Sequence, residues 1–143
     1  MDYFKAIEIS AAGMAVQQAR IEAATLNLAN MNTSAAPGTT GYRPVRAMIV
    51  ATPTAFSRAL AGDARQVMIA KATLVEQSGD TTRSVYEPGH PHADAAGMVS
   101  YPAIDHTQEM MTVMTALRAY EANLAALQAT KTLCAKALEI GSP

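Results

Sequence analysis

The chain has 143 residues, half of them apolar but only 5% aromatic, with no Trp and a net charge of -1. That balance, even along the chain, offers nothing for nucleic acid or an anionic membrane surface to hold, and a single cysteine, Cys134, rules out an internal disulfide. The length suits one domain with a modest core; no apolar run is long enough for a transmembrane helix, and Met1 to Lys5 lacks the basic-then-apolar start of a cleaved secretory signal.

A first long helix is expected from Asp2 or Tyr3, with Asp2 as its cap, to between Asn30 and Asn32, since Asn favours helix ends over interiors. Thr33 to Gly41, with Pro37-Gly38 inside it, breaks the chain. Tyr42 to Thr52 reads as a strand, which Pro44 places at an edge or delays to Val45. Pro53 to Asp63 fits a loop or one helical turn. Arg65 to Glu76 reads as a second strand with both faces partly apolar, and Thr82 to Tyr86 as a short third one. Glu87 to Gly97 is loop, rich in turn formers and without periodicity. Met98 to Pro102 is a short extended piece. A second long helix then opens at Asp105 and closes at Gly141, a favourable C-terminal residue. The expected fold is therefore mainly α with a small β insert: an N-terminal assembly helix (1–32), a loop and short-stranded middle region (33–104) and a C-terminal assembly helix (105–143), the helices forming an antiparallel coiled-coil pair.

Each helix carries a seam. In the first, Phe4, Ile7, Ala11, Met14, Gln18, Ile21, Thr25 and Leu28 recur at alternating steps of three and four. In the second, Met110, Val113, Leu117, Tyr120, Leu124, Leu127, Lys131, Cys134 and Leu138 repeat the rhythm. This is the heptad pattern of a helix with one sticky stripe. A second face of each helix is small: Ala12, Ala15, Ala19, Ala23 and Ala24 in one, Ala116, Ala119, Ala122, Ala126 and Ala129 in the other. Helices apolar or small nearly all round are buried on more than one side, and a chain of this size needs neighbours to achieve that. The pattern points to assembly.

Candidate chemistry is thin. His90, His92, Asp94 and His106 are the one set that invites a metal reading, but His90 and His92 merely flank Pro91, and no Cys or Glu at a standard spacing completes a zinc set. Asp94 to Gly97 lacks the alternating acids of a calcium loop. Nucleophile, phosphate-loop and HExxH motifs are absent. Cys134 and Tyr120 lie on the seam and read as packing residues; Arg118 and Glu121 form at most a weak surface pair. The residues leave three classes open: a polymer subunit, a cytoplasmic coiled-coil adaptor or export chaperone, and a small metalloenzyme using the histidines.

Four pieces of sequence carry a resemblance. Leu26-Asn27-Leu28-Ala29-Asn30, with Thr33 behind it, resembles the asparagine-rich motif closing the first helix of bacterial flagellar axial proteins. Gly41-Tyr42-Arg43 follows a Pro-Gly turn. Tyr86 to Asp94, then Gly97 and Tyr101-Pro102, form the third piece. Arg118 to Asn123, leading to Lys136 through Gly141, is the fourth. Together they resemble the flagellar basal-body rod protein family, most of all its small proximal-rod member. The chain differs from the family pattern at His92, Ala95, Ala96 and Met98.

The resemblance implies a non-enzymatic structural subunit without cofactor. It would sit in the periplasmic rod that transmits torque, and would be exported by the flagellar type III apparatus without signal cleavage. It further implies polymerisation through the terminal helices. The implied partners are other rod proteins, copies of the chain, an adapter at the rotor's base and the export apparatus. The seam residues Phe4, Ile7, Met14, Ile21, Leu28, Met110, Val113, Leu117, Tyr120, Leu124, Leu127 and Leu138, with Asn27 and Asn30, are the expected assembly interface.

Overall fold

The computed structural model describes residues 3–53, 68–79 and 81–140. Asp2, most of Pro53 to Asp63, Arg65 to Val67 and Gly141 lie outside the described residues, and with them the expected first cap, the loop or helical turn, and the last helix end. The element order is α1 (Tyr3–Asn30), β1 (Val45–Pro53), β2 (Met68–Glu76), β3 (Thr82–Tyr86), β4 (Met98–Pro102) and α2 (His106–Ile140). Along the chain, two long terminal helices thus flank a small β region.

The helix ends follow from side-chain chemistry. The Asn30 amide donates to the Leu26 carbonyl at 2.8 Å, and Thr33 N–H reaches Asn30 O at 3.0 Å. The second occupies a carbonyl that a helix end leaves open. At the start of α2, Asp105 Oδ1 accepts from Thr107 N–H at 2.8 Å and Gln108 N–H at 3.3 Å. Asp105 is the N-cap, as its residue type predicts. Within the helices, hydroxyls that would disfavour helix interiors turn back onto the preceding turn, Ser10 to Ala6 O and Thr25 to Ile21 O.

The four strands form two separate pairs, β1 with β2 and β3 with β4. Strand β1 starts at Val45, the late start that Pro44 requires; Pro44 still accepts Gln77 N–H at 2.8 Å through its carbonyl. Strand β3 has the expected limits. The extended piece at Met98 to Pro102 is its antiparallel partner, running from Thr82↔Pro102 to Tyr86↔Met98. The pairing was not expected, because an eleven-residue connection hides a hairpin from sequence.

Contacts divide the described residues into two compact units. One comprises α1 up to Ala19, residues 48–53 and 68–73 of the first strand pair, and α2 from Thr115. The other comprises α1 from Arg20, residues 31–47, residues 74–79 and 81–105, and α2 up to Met114. Few apolar residues are buried: Val16 and Ala116 in the first unit, Ala23, Ala24 and Val99 in the second. The buried apolar helix residues, Val16, Ala23, Ala24 and Ala116, are not seam positions, and Leu117 beside Ala116 is 46% exposed.

Candidate assembly surfaces

Each unit shows how the inner helix face is made. In the first, Gly13 lies against Asn123: a Cβ on Gly13 would stand 2.8 Å from Asn123 Nδ2 and 3.1 Å from Cγ. The missing side chain is what lets the Asn123 amide rest on the α1 backbone. In the second unit, Asn27 is only 2% exposed and fully bonded. Its Nδ2 donates to Val45 O at 2.9 Å and to Glu109 Oε1 at 3.1 Å. Its Oδ1 accepts from Val45 N–H at 2.9 Å and from Tyr42 O–H at 3.0 Å. A primary amide offers two donor hydrogens and two lone pairs, and all four are engaged. Asn27 thereby ties α1 to the start of β1 and the first turn of α2.

The chain itself engages all four polar positions of the Asn27 side chain, and Asn30 bonds at the end of α1. Tyr42 titrates above the ordinary tyrosine range, first because it is partly withdrawn from water, then because Glu109 and Glu76 oppose a second negative charge. Sequence reasoning missed Tyr42, Glu109, Gly13 and Asn123. The available signal was Asn27 itself, an amide inside an alanine-rich helix face, where it must find partners.

The large seam residues lie elsewhere. Phe4 is 85% exposed, Leu117 46%, Leu124 37% and Leu138 71%, with Met110 also exposed. Ile7, Met14, Ile21, Leu28, Val113, Tyr120, Leu127 and Cys134 are half-buried. Beyond the expected seam, Met111, Met114 and Leu133 add to the exposed apolar surface of α2. In the β1–β2 pair, the consecutive Met48, Ile49 and Val50 are all exposed, as are Leu74 and Val75, so apolar groups emerge on both faces.

The histidine-bearing loop is a self-bonded connection. Asp94 Oδ1 accepts from Ala96 N–H at 2.8 Å and Met98 N–H at 2.9 Å. His90 Nδ1 accepts from His92 N–H at 3.0 Å, and His92 Nδ1 lies 2.9 Å from Ser34 Oγ. Gly97 closes the turn at φ +76, where an added Cβ would meet the Tyr86 ring at 2.9 Å. Tyr101 O–H donates to Glu87 Oε2 at 3.0 Å; that bond, ahead of the adjacent negative charge, holds the tyrosine above its ordinary pKa. Asp94, His90 and Glu87 thus bond within the hairpin, while His92 meets Ser34 beyond it. Among the described residues, no three His, Cys, Asp or Glu side chains are grouped to hold a metal ion. No described helix is long and apolar enough to cross a membrane.

Comparison with known proteins then places the chain. Residues 95–140 match the family described as flagellar basal body rod FlgEFG protein C-terminal. The flagellar basal-body rod protein FlgC of Bacillus subtilis is 32% identical over 99% of both chains. Those of Aquifex aeolicus and Salmonella typhimurium are 34% and 33% identical, over 97% and 94% of both chains respectively. The chain belongs to the FlgC family of flagellar basal-body rod proteins. In this FlgC-family chain the exposed seam residues and the buried Asn27 node are two separate features.

Proposed function

We propose that the chain is a structural, non-enzymatic subunit of the proximal flagellar rod, and that it polymerises through its terminal helices to help form the periplasmic shaft that transmits torque. The full-length similarity to FlgC proteins supports the rod assignment. The exposed seam on α2 is the observation that carries the mode of assembly. Leu117, Leu124 and Leu138 are too exposed to be core residues of the single chain, yet they recur at heptad steps. A neighbouring subunit supplies the cover they lack.

In this reading residues 1–32 and 105–143 are the assembly helices, and 33–104 lies outside them. In this reading the helices run antiparallel, with the Asn27–Glu109 contact supporting it where α1 ends and α2 begins. Other rod proteins, further copies, the adapter at the rotor's base and the export apparatus are the partners, and export proceeds without signal cleavage. None of the comparisons favours a cytoplasmic adaptor or chaperone.

The test is Leu124→Asp in a strain lacking the wild-type gene. The carboxylate would be desolvated in the assembled seam at a cost of several kcal/mol. The expected result is loss of motility and absence of the variant from purified basal bodies at normal expression. Normal incorporation would refute assembly through this seam.

A further inference from the structure

We infer that the hydrogen bond from Asn27 to Glu109 sets the register between the terminal helices. The inference rests on the antiparallel reading above. The buried α1 residues beside Asn27 are Ala23 and Ala24. Alanines repeated at each turn pack equally well after a displacement of one turn, so they define closeness but not position. A buried amide is different, because its partners must stand in particular directions. One buried polar residue in an apolar helix pair is an established way of fixing register.

The division of labour around Asn27 makes the assignment specific. Three of its four bonds go to Tyr42 and to both backbone groups of Val45, on the chain that follows α1. They hold the amide fixed relative to α1 and β1. The fourth, to Glu109 Oε1 at 3.1 Å, reaches α2. Sliding α2 by one turn would remove the carboxylate and strand an N–H in a site that is 2% exposed. The rival device is the connection into α2, where Ala103 N–H bonds Thr81 O at 2.7 Å.

Disulfide trapping in the full chain separates the two. In a Cys134→Ala background, one pair reports the native register, Ala23→Cys with Val113→Cys. A second reports α2 displaced by one turn, Ala23→Cys with Met110→Cys. Each pair is oxidised mildly with Glu109 intact, with Glu109→Ala, with the milder Glu109→Asp, and with Glu109→Gln. With Glu109 intact only the native pair should close. Glu109→Ala should raise the displaced product by about tenfold or more, the scale of a bond to a charged group. Glu109→Asp should give a smaller rise, and Glu109→Gln, whose Oε1 still accepts, should restore the native pattern. If folded Glu109→Ala and Glu109→Asp chains both close only the native pair, the connection sets the register and the inference is overturned. If the native pair fails to close with Glu109 intact, the antiparallel reading itself is lost.

Discussion

The two faces of the terminal helices obey different rules. Among the buried or closely packed helix positions most have little or no side chain, Gly13, Ala23, Ala24 and Ala116, with Val16 the larger exception, and they are punctuated by the amides of Asn27 and Asn123. The outer face carries Phe4, Met110, Leu117, Leu124 and Leu138 and leaves them exposed. A chain built for self-sufficiency would do the reverse, because burying a Leu side chain contributes roughly 1.5–3 kcal/mol and an Ala much less. The difference teaches that the strongest apolar contacts are held back from the subunit's own fold. Close backbone approach and directional hydrogen bonds shape the chain's own fold, and these large side chains remain exposed; in the proposed function they are what assembly covers.

The sharpest way to break this contrast is Asn27→Leu. The substitution adds apolar bulk, which would help on an ordinary core face. Here it strands Val45 N–H, Val45 O, the Tyr42 hydroxyl and the Glu109 carboxylate together. Unsatisfied buried groups cost about 1–3 kcal/mol each, less where water can enter. A loss of about 3 kcal/mol or more in urea unfolding is expected. A neutral result would show that the amide node is dispensable.

Next in size is the coupling between Gly13 and Asn123. Replacing Gly by Ala inside a helix normally stabilises by about 1 kcal/mol. At position 13 the new methyl would sit 2.8 Å from Asn123 Nδ2, so Gly13→Ala alone should instead destabilise by about 1 kcal/mol. In an Asn123→Ala background it should stabilise by a similar amount. A double-mutant cycle measures the difference directly, and additive effects would mean that the close approach is not formed in solution.

How much of this was legible in the sequence depends on the kind of signal. Element limits were readable wherever one residue type forces the backbone: Asp105 at the α2 cap, Asn30 at the α1 end, Pro44 before β1. The existence of two apolar seams was readable from three-four spacing. Which face packs inside the chain was not, because periodicity reports that a stripe is sticky and not which molecule covers it. The alanine face was visible beside it, but without partners the choice between Ala116 and Leu117 could not be made. The Asn27 node was invisible for a different reason. Its partners Tyr42, Val45 and Glu109 lie 15, 18 and 82 residues away, and no local pattern encodes such a meeting.

Leu124→Asp sharpens the contrast from the outer side. In the isolated chain the residue is 37% exposed, and surface substitutions away from special features usually change stability by no more than about 0.5 kcal/mol. Thermal unfolding of the isolated variant should therefore match the parent closely, while its incorporation into rods is lost. A large drop in the isolated chain would mean that Leu124 belongs to the subunit's own core, and the distinction between the faces would fail on that residue.

The smallest expected effect is the pH dependence of the inner node. Withdrawal from water, then Glu109 and Glu76, raise the pKa of Tyr42 above the unfolded value of about 10. Folding thus favours the neutral phenol, whose hydrogen is donated to Asn27 Oδ1. The linked stability is fully present below pH 10 and is lost as pH rises from there through the raised folded value. Urea midpoints measured from pH 8 to pH 11.5 should fall more steeply for the parent than for Tyr42→Phe, which lacks the titrating group but starts lower for want of the hydroxyl. Tyr101, raised through Glu87, contributes the same slope to both proteins and cancels in the comparison. Parallel curves would place Tyr42 outside the node and leave Asn27 Oδ1 with Val45 N–H alone, so this weak effect tests whether all four bonds of the amide persist in solution.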